Sequence, residues 1–215
     1  MRRITSLLLL LAVSVMLSAC GTLLYGTVSR FHIIDSSPKT FFLMAAEEQK
    51  SSLEFQTYAN LVKSELTSRG WSEGSFEASD VAIFLEYQIS GGRVVNYSYP
   101  IMGQVPSGTS TTNASASTIG GYTTATATTT QQMTTRVVGT GTGSVVQYDR
   151  LVTLRMVSIP EYLKTKEIKP VFESSIASTG TSGTLPEVMP TLIRGLFKTF
   201  PGESGKVDQV TLPLR

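Results

Sequence analysis

Between Arg93 and Arg136 the chain has no charged residue. The forty-two intervening positions are mostly Thr, Ser, Ala and Gly, and include the stretch "SGTSTTNASASTIGGYTTATATTTQQMTT". A segment with so little apolar mass cannot bury a core of its own, so about a fifth of the 215 residues is withdrawn from any hydrophobic interior. Its flanks, "RVVNYSY" and "TTRVVG", are built from strand-forming residues. They predict a long hairpin-like insertion over about residues 93–147, with a disordered tip. Two roles fit such an element. It is either a tolerated surface insertion, or an arm that pairs by its edge with a partner or with other copies, because neutral Thr-rich strands lack the charges that blunt sheet edges.

The amino terminus, "MRRITSLLLLLAVSVMLSAC", places two arginines before an apolar run from Leu7 to Leu17 and then small residues. This is the three-part layout of a secretory signal, over residues 1–19, and the run is short for a membrane-spanning helix. The formal net charge of +2 comes from Arg2 and Arg3: 18 basic residues less these two leave sixteen, against sixteen acidic ones. A body with balanced charge gives no electrostatic footprint for nucleic acid. Leu17-Ser18-Ala19-Cys20, followed by Gly21, resembles the lipobox of bacterial lipoproteins, and Cys20 is the single cysteine. The resemblance implies cleavage before Cys20, a thioether from its sulfur to diacylglycerol, and acylation, palmitate included, of its new amine. Each buried CH₂ of such chains is worth about 0.8 kcal/mol, so several chains hold a protein on a membrane permanently. Gly21 lacks the aspartate that retains enterobacterial lipoproteins in the inner membrane, which implies the periplasmic face of the outer membrane. Residues 20–30 are expected to be the lipidated cysteine and a tether, at most about 30 Å long, leaving 31–215 as a single domain.

Along that domain, "RFHIID" and "TFFLM" read as strands joined by the turn signal "SSPK". In "SSLEFQTYANLVKSELTSRGW", Ser51 and Glu54 suit a capping box, and Phe55, Tyr58, Ala59, Val62 and Leu66 share one helical face. Gly70 and Trp71 fit a Schellman ending. "DVAIFLEYQIS" alternates as a strand with one face on a core, and "YDRLVTLRMVSI" and "KPVFESSIAST" add two more strands around a loop near Pro160. Thr184 and Glu187 suggest a second capping box, opening a helix whose stripe runs from Leu185 through Val188, Met189, Leu192, Ile193 and Leu196 to Phe197 and Phe200. "VDQVTLPL" closes the chain as a strand. The expected fold class is α+β: a mostly antiparallel sheet with two amphipathic helices on one face. Thr40-Phe41, Leu66-Thr67-Ser68-Arg69-Gly70-Trp71 and Asp80-Val81-Ala82-Ile83, in this order behind a lipobox, resemble the uncharacterised bacterial lipoproteins called domain of unknown function 4136. That resemblance covers about residues 31–90 and, more loosely, 148–214, and it implies a fold and a compartment without an activity.

No catalytic constellation is expected. His32, the only histidine, falls in a strand without a serine or carboxylate partner. Ser36-Ser37-Pro38-Lys39 has Ser-x-x-Lys spacing, but Pro38 makes it a turn rather than a helical face. Gly139, Gly141 and Gly143 resemble a phosphate cradle only superficially: they are evenly spaced and lead into a strand, which suggests a hinge or bulge. Asp35, Asp80 and Asp149 are expected to cap turns. Asn96 and Asn113 begin glycosylation sequons that a bacterial lipoprotein has no ordinary use for. One histidine and no spaced acidic cluster leave no metal-binding set, and no cofactor is expected. The sequence therefore supports a non-catalytic binding or structural module of the envelope. Its expected partners are the membrane, through acyl chains on Cys20, and an envelope protein or a second copy, through the Thr-rich insertion. The alternative is an envelope hydrolase or small-ligand-binding lipoprotein whose site is scattered in sequence.

Overall fold

The computed structural model describes residues 22–37 and 39–214. Cys20 and the expected signal segment lie outside these residues. Along the chain come β1 (Leu23–His32), β2 (Thr40–Met44), a one-turn 3-10 helix (Glu47–Gln49), α1 (Leu53–Thr67), β3 (Ser72–Glu73) and β4 (Val81–Ile89). They are followed by β5 (Arg93–Ile119), β6 (Tyr122–Ser158), α2 (Ile159–Thr165), β7 (Pro170–Gly180), α3 (Leu185–Phe197) and β8 (Val207–Pro213). The sheet has eight strands in the order β3-β2-β4-β6-β7-β1-β8, with β5 paired to β6 off this path.

The expectation of a mostly antiparallel α+β sheet with two helices is corrected on three counts. The described chain is 56% strand and 20% helix, and it has three helices. The sheet is mixed, because β2 runs parallel to both β3 and β4, with Phe41 beside Val81 and Leu43 beside Ile83. A helix between β2 and β4 is what permits this, since parallel neighbours need a long crossover. The third helix, α2, occupies the place expected to be a loop near Pro160. Ser158 caps it by accepting from the Glu161 N–H, and proline in its first turn lacks only a hydrogen that has no partner there. The high strand content comes from the uncharged segment, which is strand on both sides of a two-residue turn.

The chain divides into two compact units, one holding the residues up to Arg93 and from Val146 onward, the other Val94–Val145. In the first, alternate residues of the central strands point to one core: Leu24 and Val28 of β1, Ile83 and Leu85 of β4, Val152, Leu154 and Met156 of β6, Phe172 and Ile176 of β7. Helix α1 buries Phe55, Tyr58, Ala59, Val62 and Leu66 there, the face its spacing predicts. Its cap is Ser52, which accepts from the Phe55 N–H at 3.2 Å, one residue later than the expected Ser51. Its end is the expected Schellman turn: Gly70 has φ 85°, Trp71 N–H reaches the Leu66 carbonyl at 3.1 Å, and both apolar residues are buried. Helix α3 buries the Val188 to Phe197 stripe, but no side chain caps it. Glu187 instead accepts from the Ser182 hydroxyl, so the expected Thr184–Glu187 box is absent.

The expected tether is also corrected. Residues 23–32 are a strand held between β7 and β8, with Leu24, Val28 and Arg30 buried. The alternation of Leu24, Gly26, Val28 and Arg30 hides this strand, because a glycine and an arginine occupy two of its four inward positions.

Candidate functional site

The second unit is a ribbon in which β5 pairs with the first part of β6. Gly120 and Gly121, with φ 59° and 85°, form the two-residue turn that joins them and makes them antiparallel. Across the ribbon, the Thr118 and Thr123 hydroxyls lie 2.9 Å apart, and those of Thr112 and Thr129 lie 3.0 Å apart. These pairs fix the register of the tip: opposite residues there sum to 241, as do the two turn glycines. Every residue from 108 to 133 is exposed.

Nearer the ends of the ribbon its packing is aromatic on glycine. A Cβ on Gly143 would stand 2.7 Å from the Tyr97 ring, and one on Gly141 would stand 2.6 Å from that of Tyr99, so only glycine lets both tyrosines lie on the neighbouring strand. The two rings are 6.2 Å apart. Gly141 and Gly143 are thus the floor under an aromatic pair rather than a phosphate cradle, whereas a Cβ on Gly139 would meet only Ile101, at 4.0 Å. The spacing Tyr-x-Tyr against Gly-x-Gly was the signal that sequence reasoning missed.

The first unit has two buried arginines, also unforeseen. Arg30 is registered opposite Ser174, and Arg150 opposite Ser178, so that a small residue makes room for each long one. Arg30 Nη1 pairs with Asp208 at 2.8 Å, and Nη2 donates to the Leu196 carbonyl at 3.1 Å, near the C-terminal end of α3, where a cation is favoured. Arg150 Nη2 donates to the Ser182 carbonyl at 2.6 Å. Burial holds its pKa below the ordinary value, while the charges of Glu187 and Asp149 pull the other way. Its side chain lines a mixed pocket of about 450 Å³ together with Thr22, Leu24, Ser182 and Glu187. A second pocket, about 280 Å³ and almost wholly apolar, lies among Met44, Phe76, Ala82, Phe84, Tyr162 and Ile168.

The residues weighed for catalysis are not brought together. The His32 ring stacks on Phe172, with its nitrogens 3.1 Å from the Ile34 carbonyl and 3.3 Å from that of Gly202. Lys39 is ion-paired with Asp35 at 3.0 Å and donates to Ser37 at 3.3 Å; Ser36 and Lys39 are on no helix. The Ser37 hydroxyl and the Lys39 ammonium hold the Asp35 carboxyl down at about 2. Asp80 accepts from the N–H and the hydroxyl of Thr40, and Asp149 from the Thr179 hydroxyl, which lowers the pKa of both. Asp35 accepts from the Ser37 N–H and hydroxyl within its own loop, the expected turn cap, whereas Asp149 ties β6 to β7 and Asp80, just before β4, holds the start of β2. Among the described residues no group of three or more His, Cys, Asp or Glu stands close enough to hold a metal ion, and no described helix is long and apolar enough to cross a membrane.

No family model matches the chain. No curated protein matches it either. Among solved structures it is similar to a PDZ domain protein from Parabacteroides distasonis, with 11% identity over 90% of this chain, a TM-score of 0.44, and this chain spanning 40% of that one's length.

Proposed function

We propose that this chain is a lipoprotein anchored through Cys20 to the periplasmic face of the outer membrane, and that it acts as a non-catalytic module joining envelope components. The observation that carries the reading is the ribbon. Two paired strands alone are marginally stable in water, and stability ordinarily needs a third strand or a covering element. Here neither face of the tip is covered, each outer side offers an unpaired row of N–H and C=O groups, and between residues 94 and 135 no charge discourages pairing. Such a side is a template for β-augmentation. The lipobox residues support the anchor, and the engagement of His32, Lys39 and the aspartates in structural contacts supports a non-catalytic role.

The test is photo-crosslinking in cells from single positions in the ribbon, such as Thr126 and Thr128. Discrete crosslinked species from the ribbon, absent when the probe stands on an exposed residue of the first unit such as Glu48, are expected. Uniform absence of crosslinks from the ribbon would sink the docking role. The apolar pocket favours a second reading, a small-ligand-binding lipoprotein. Saturable uptake of an apolar fluorophore, lost in Ala82→Phe, which fills that pocket, would support it.

A further inference from the structure

The tip of the ribbon carries the same pattern on both strands. On β5, Thr112-Asn113-Ala114-Ser115-Ala116-Ser117-Thr118 places Thr, Ala, Ala and Thr on one face; on β6, Thr123-Thr124-Ala125-Thr126-Ala127-Thr128-Thr129 does the same. The register sets them against each other: Thr112 opposite Thr129, Ala114 opposite Ala127, Ala116 opposite Ala125, Thr118 opposite Thr123. The other face sets Asn113, Ser115 and Ser117 against Thr128, Thr126 and Thr124, so every partner there is a hydrogen-bonding side chain. The strand that best complements β6 along this stretch is therefore β5, and the free side of β6 is still open to another.

The two outer sides are not alike along their length. Pro100 and Pro106 lie in β5 and have no N–H, so they fit a ladder only where that position faces away from β6. They remove donors from the outer side of β5 in its first half and blunt it. From residue 107 to the turn β5 has no proline, and β6 has none from 122 to 158. The open pairing surfaces are thus β5 over 107–119 and β6 over 122–134, both uncharged.

Resting on the docking role above, we infer that the partner of the ribbon is a second copy of this chain: the tip of β5 from one copy pairs antiparallel with the outer side of β6 in the next. The interface is head-to-tail, since β5 meets β6 and not its own kind. Each added copy leaves one open β5 and one open β6, so pairing continues into a ring where the rotation closes and into a filament where it does not. The Thr, Ala, Ala, Thr ladder then repeats from copy to copy, with cross-strand hydroxyl contacts like those inside one ribbon.

Proline supplies the test, because the chain itself shows how to blunt one side. Opposite residues sum to 241 as far down as Gly103, where a Cβ would stand 2.7 Å from Val138, and to 240 below it, where Gly141 and Gly143 lie against Tyr99 and Tyr97. The Thr112–Thr129 and Thr118–Thr123 hydroxyls touch as side chains do in the close, non-hydrogen-bonded pairs, whose N–H groups face outward; Ala114 and Ala116 share the parity of Thr112 and Thr118, and Ala125 and Ala127 that of Thr123 and Thr129, so all four turn their N–H groups outward. Ala114→Pro with Ala116→Pro blocks the β5 side, and Ala125→Pro with Ala127→Pro blocks the β6 side. The full chain is purified in detergent and its mass is measured by light scattering corrected for detergent. The wild type is expected at three or more copies, each blocked variant at one, and an equimolar mixture of the two variants at two, because one open β5 and one open β6 remain. The mixture guards against misfolding, since a misfolded variant gives no dimer. A monomeric wild type, a blocked variant that still assembles alone, or a mixture that stays monomeric would overturn the inference. In-cell crosslinks from the ribbon to a different protein, with a monomeric wild type, would overturn self-pairing and leave the docking role standing; absence of all ribbon crosslinks would remove both.

Discussion

Arg30 and Arg150 occupy equivalent places on the inner side of the sheet, each opposite a serine, yet they are held differently. Arg30 has a carboxylate and a carbonyl; Arg150 has one carbonyl, and the Nε of each is unpartnered. Breaking a fully buried ion pair costs about 3–5 kcal/mol, whereas replacing a poorly compensated buried charge with an apolar side chain is often neutral. Asp208 is 29% exposed and recovers part of its hydration, so Arg30→Met is expected to cost about 2 kcal/mol. Arg150→Met is expected to change stability by less than about 1 kcal/mol in either direction. Urea midpoints of the two variants compared at equal m-value check the order; a larger loss for Arg150 would show that its pocket contacts hold the fold. Asp80 makes a second prediction. Thr40 donates to it from the backbone at 2.8 Å and from the hydroxyl at 2.7 Å, which keeps its folded pKa below the ordinary carboxylate value. A depressed carboxyl pKa contributes stability that is complete above the unfolded value, about 3.9, and is lost as pH falls through the lower folded value. Thr40→Val keeps the backbone donor and removes the hydroxyl. It is expected to melt below the wild type at pH 7, with the gap narrowing once pH drops under about 4. A gap that does not depend on pH would assign the loss to packing.

Among the elements, α1 shows how one residue ends a helix. Gly70 has φ 85°, a conformation that costs an ordinary L-residue about 1–2 kcal/mol and a β-branched one more. Gly70→Val is expected to lower stability by at least that amount and Gly70→Asn by less, because asparagine tolerates the left-handed region; equal urea midpoints for Val and Asn would sink this account. This helix was legible in the sequence because its apolar spacing, its stop and its last hydrophobic contact all agree. The cap slipped by one residue because Ser51 and Ser52 adjoin and both have the oxygen that a cap needs. Helix α2 was not legible: seven residues are too few for a periodic stripe, and Pro160 reads equally as turn or first turn. Strand β1 was hidden by Gly26 and Arg30 at inward positions, and the parallel placing of β2 depends on a crossover that no local signal states. The candidate site divides in the same way. The uncharged stretch and its strand-forming flanks marked the ribbon, whereas the disordered tip expected from composition is a continuous ladder, since Thr favours strand wherever a partner strand is supplied.

At the scale of the whole molecule, one unit has a core and the other does not. The proposed role of the ribbon can therefore be tested apart from the stability of the first unit. Replacing Ser107 to Thr130 with a short Gly-Ser link removes only residues that are half-buried or exposed. Loop-closure entropy changes by about 0.6 kcal/mol for each doubling of length, so the melting temperature of the first unit is expected to stay within about that equivalent of the wild type. A large fall would show that the tip supports the core. The anchor divides the other way. Cys20→Ala leaves no sulfur to acylate, so acyl labelling is expected to vanish; labelling that persists would refute the lipobox. Comparing the two variants in cells separates their roles. The tip deletion is expected to remain lipidated, to sediment with the outer membrane and to lose every ribbon-dependent crosslink. The Cys20→Ala chain keeps both pairing surfaces, and its crosslinks between copies are expected to weaken, because anchoring confines copies to a surface and raises their effective concentration. Crosslinks that survive the tip deletion would place the pairing surface elsewhere on the chain. Crosslinks that Cys20→Ala leaves at full strength would mean that copies meet without help from the membrane.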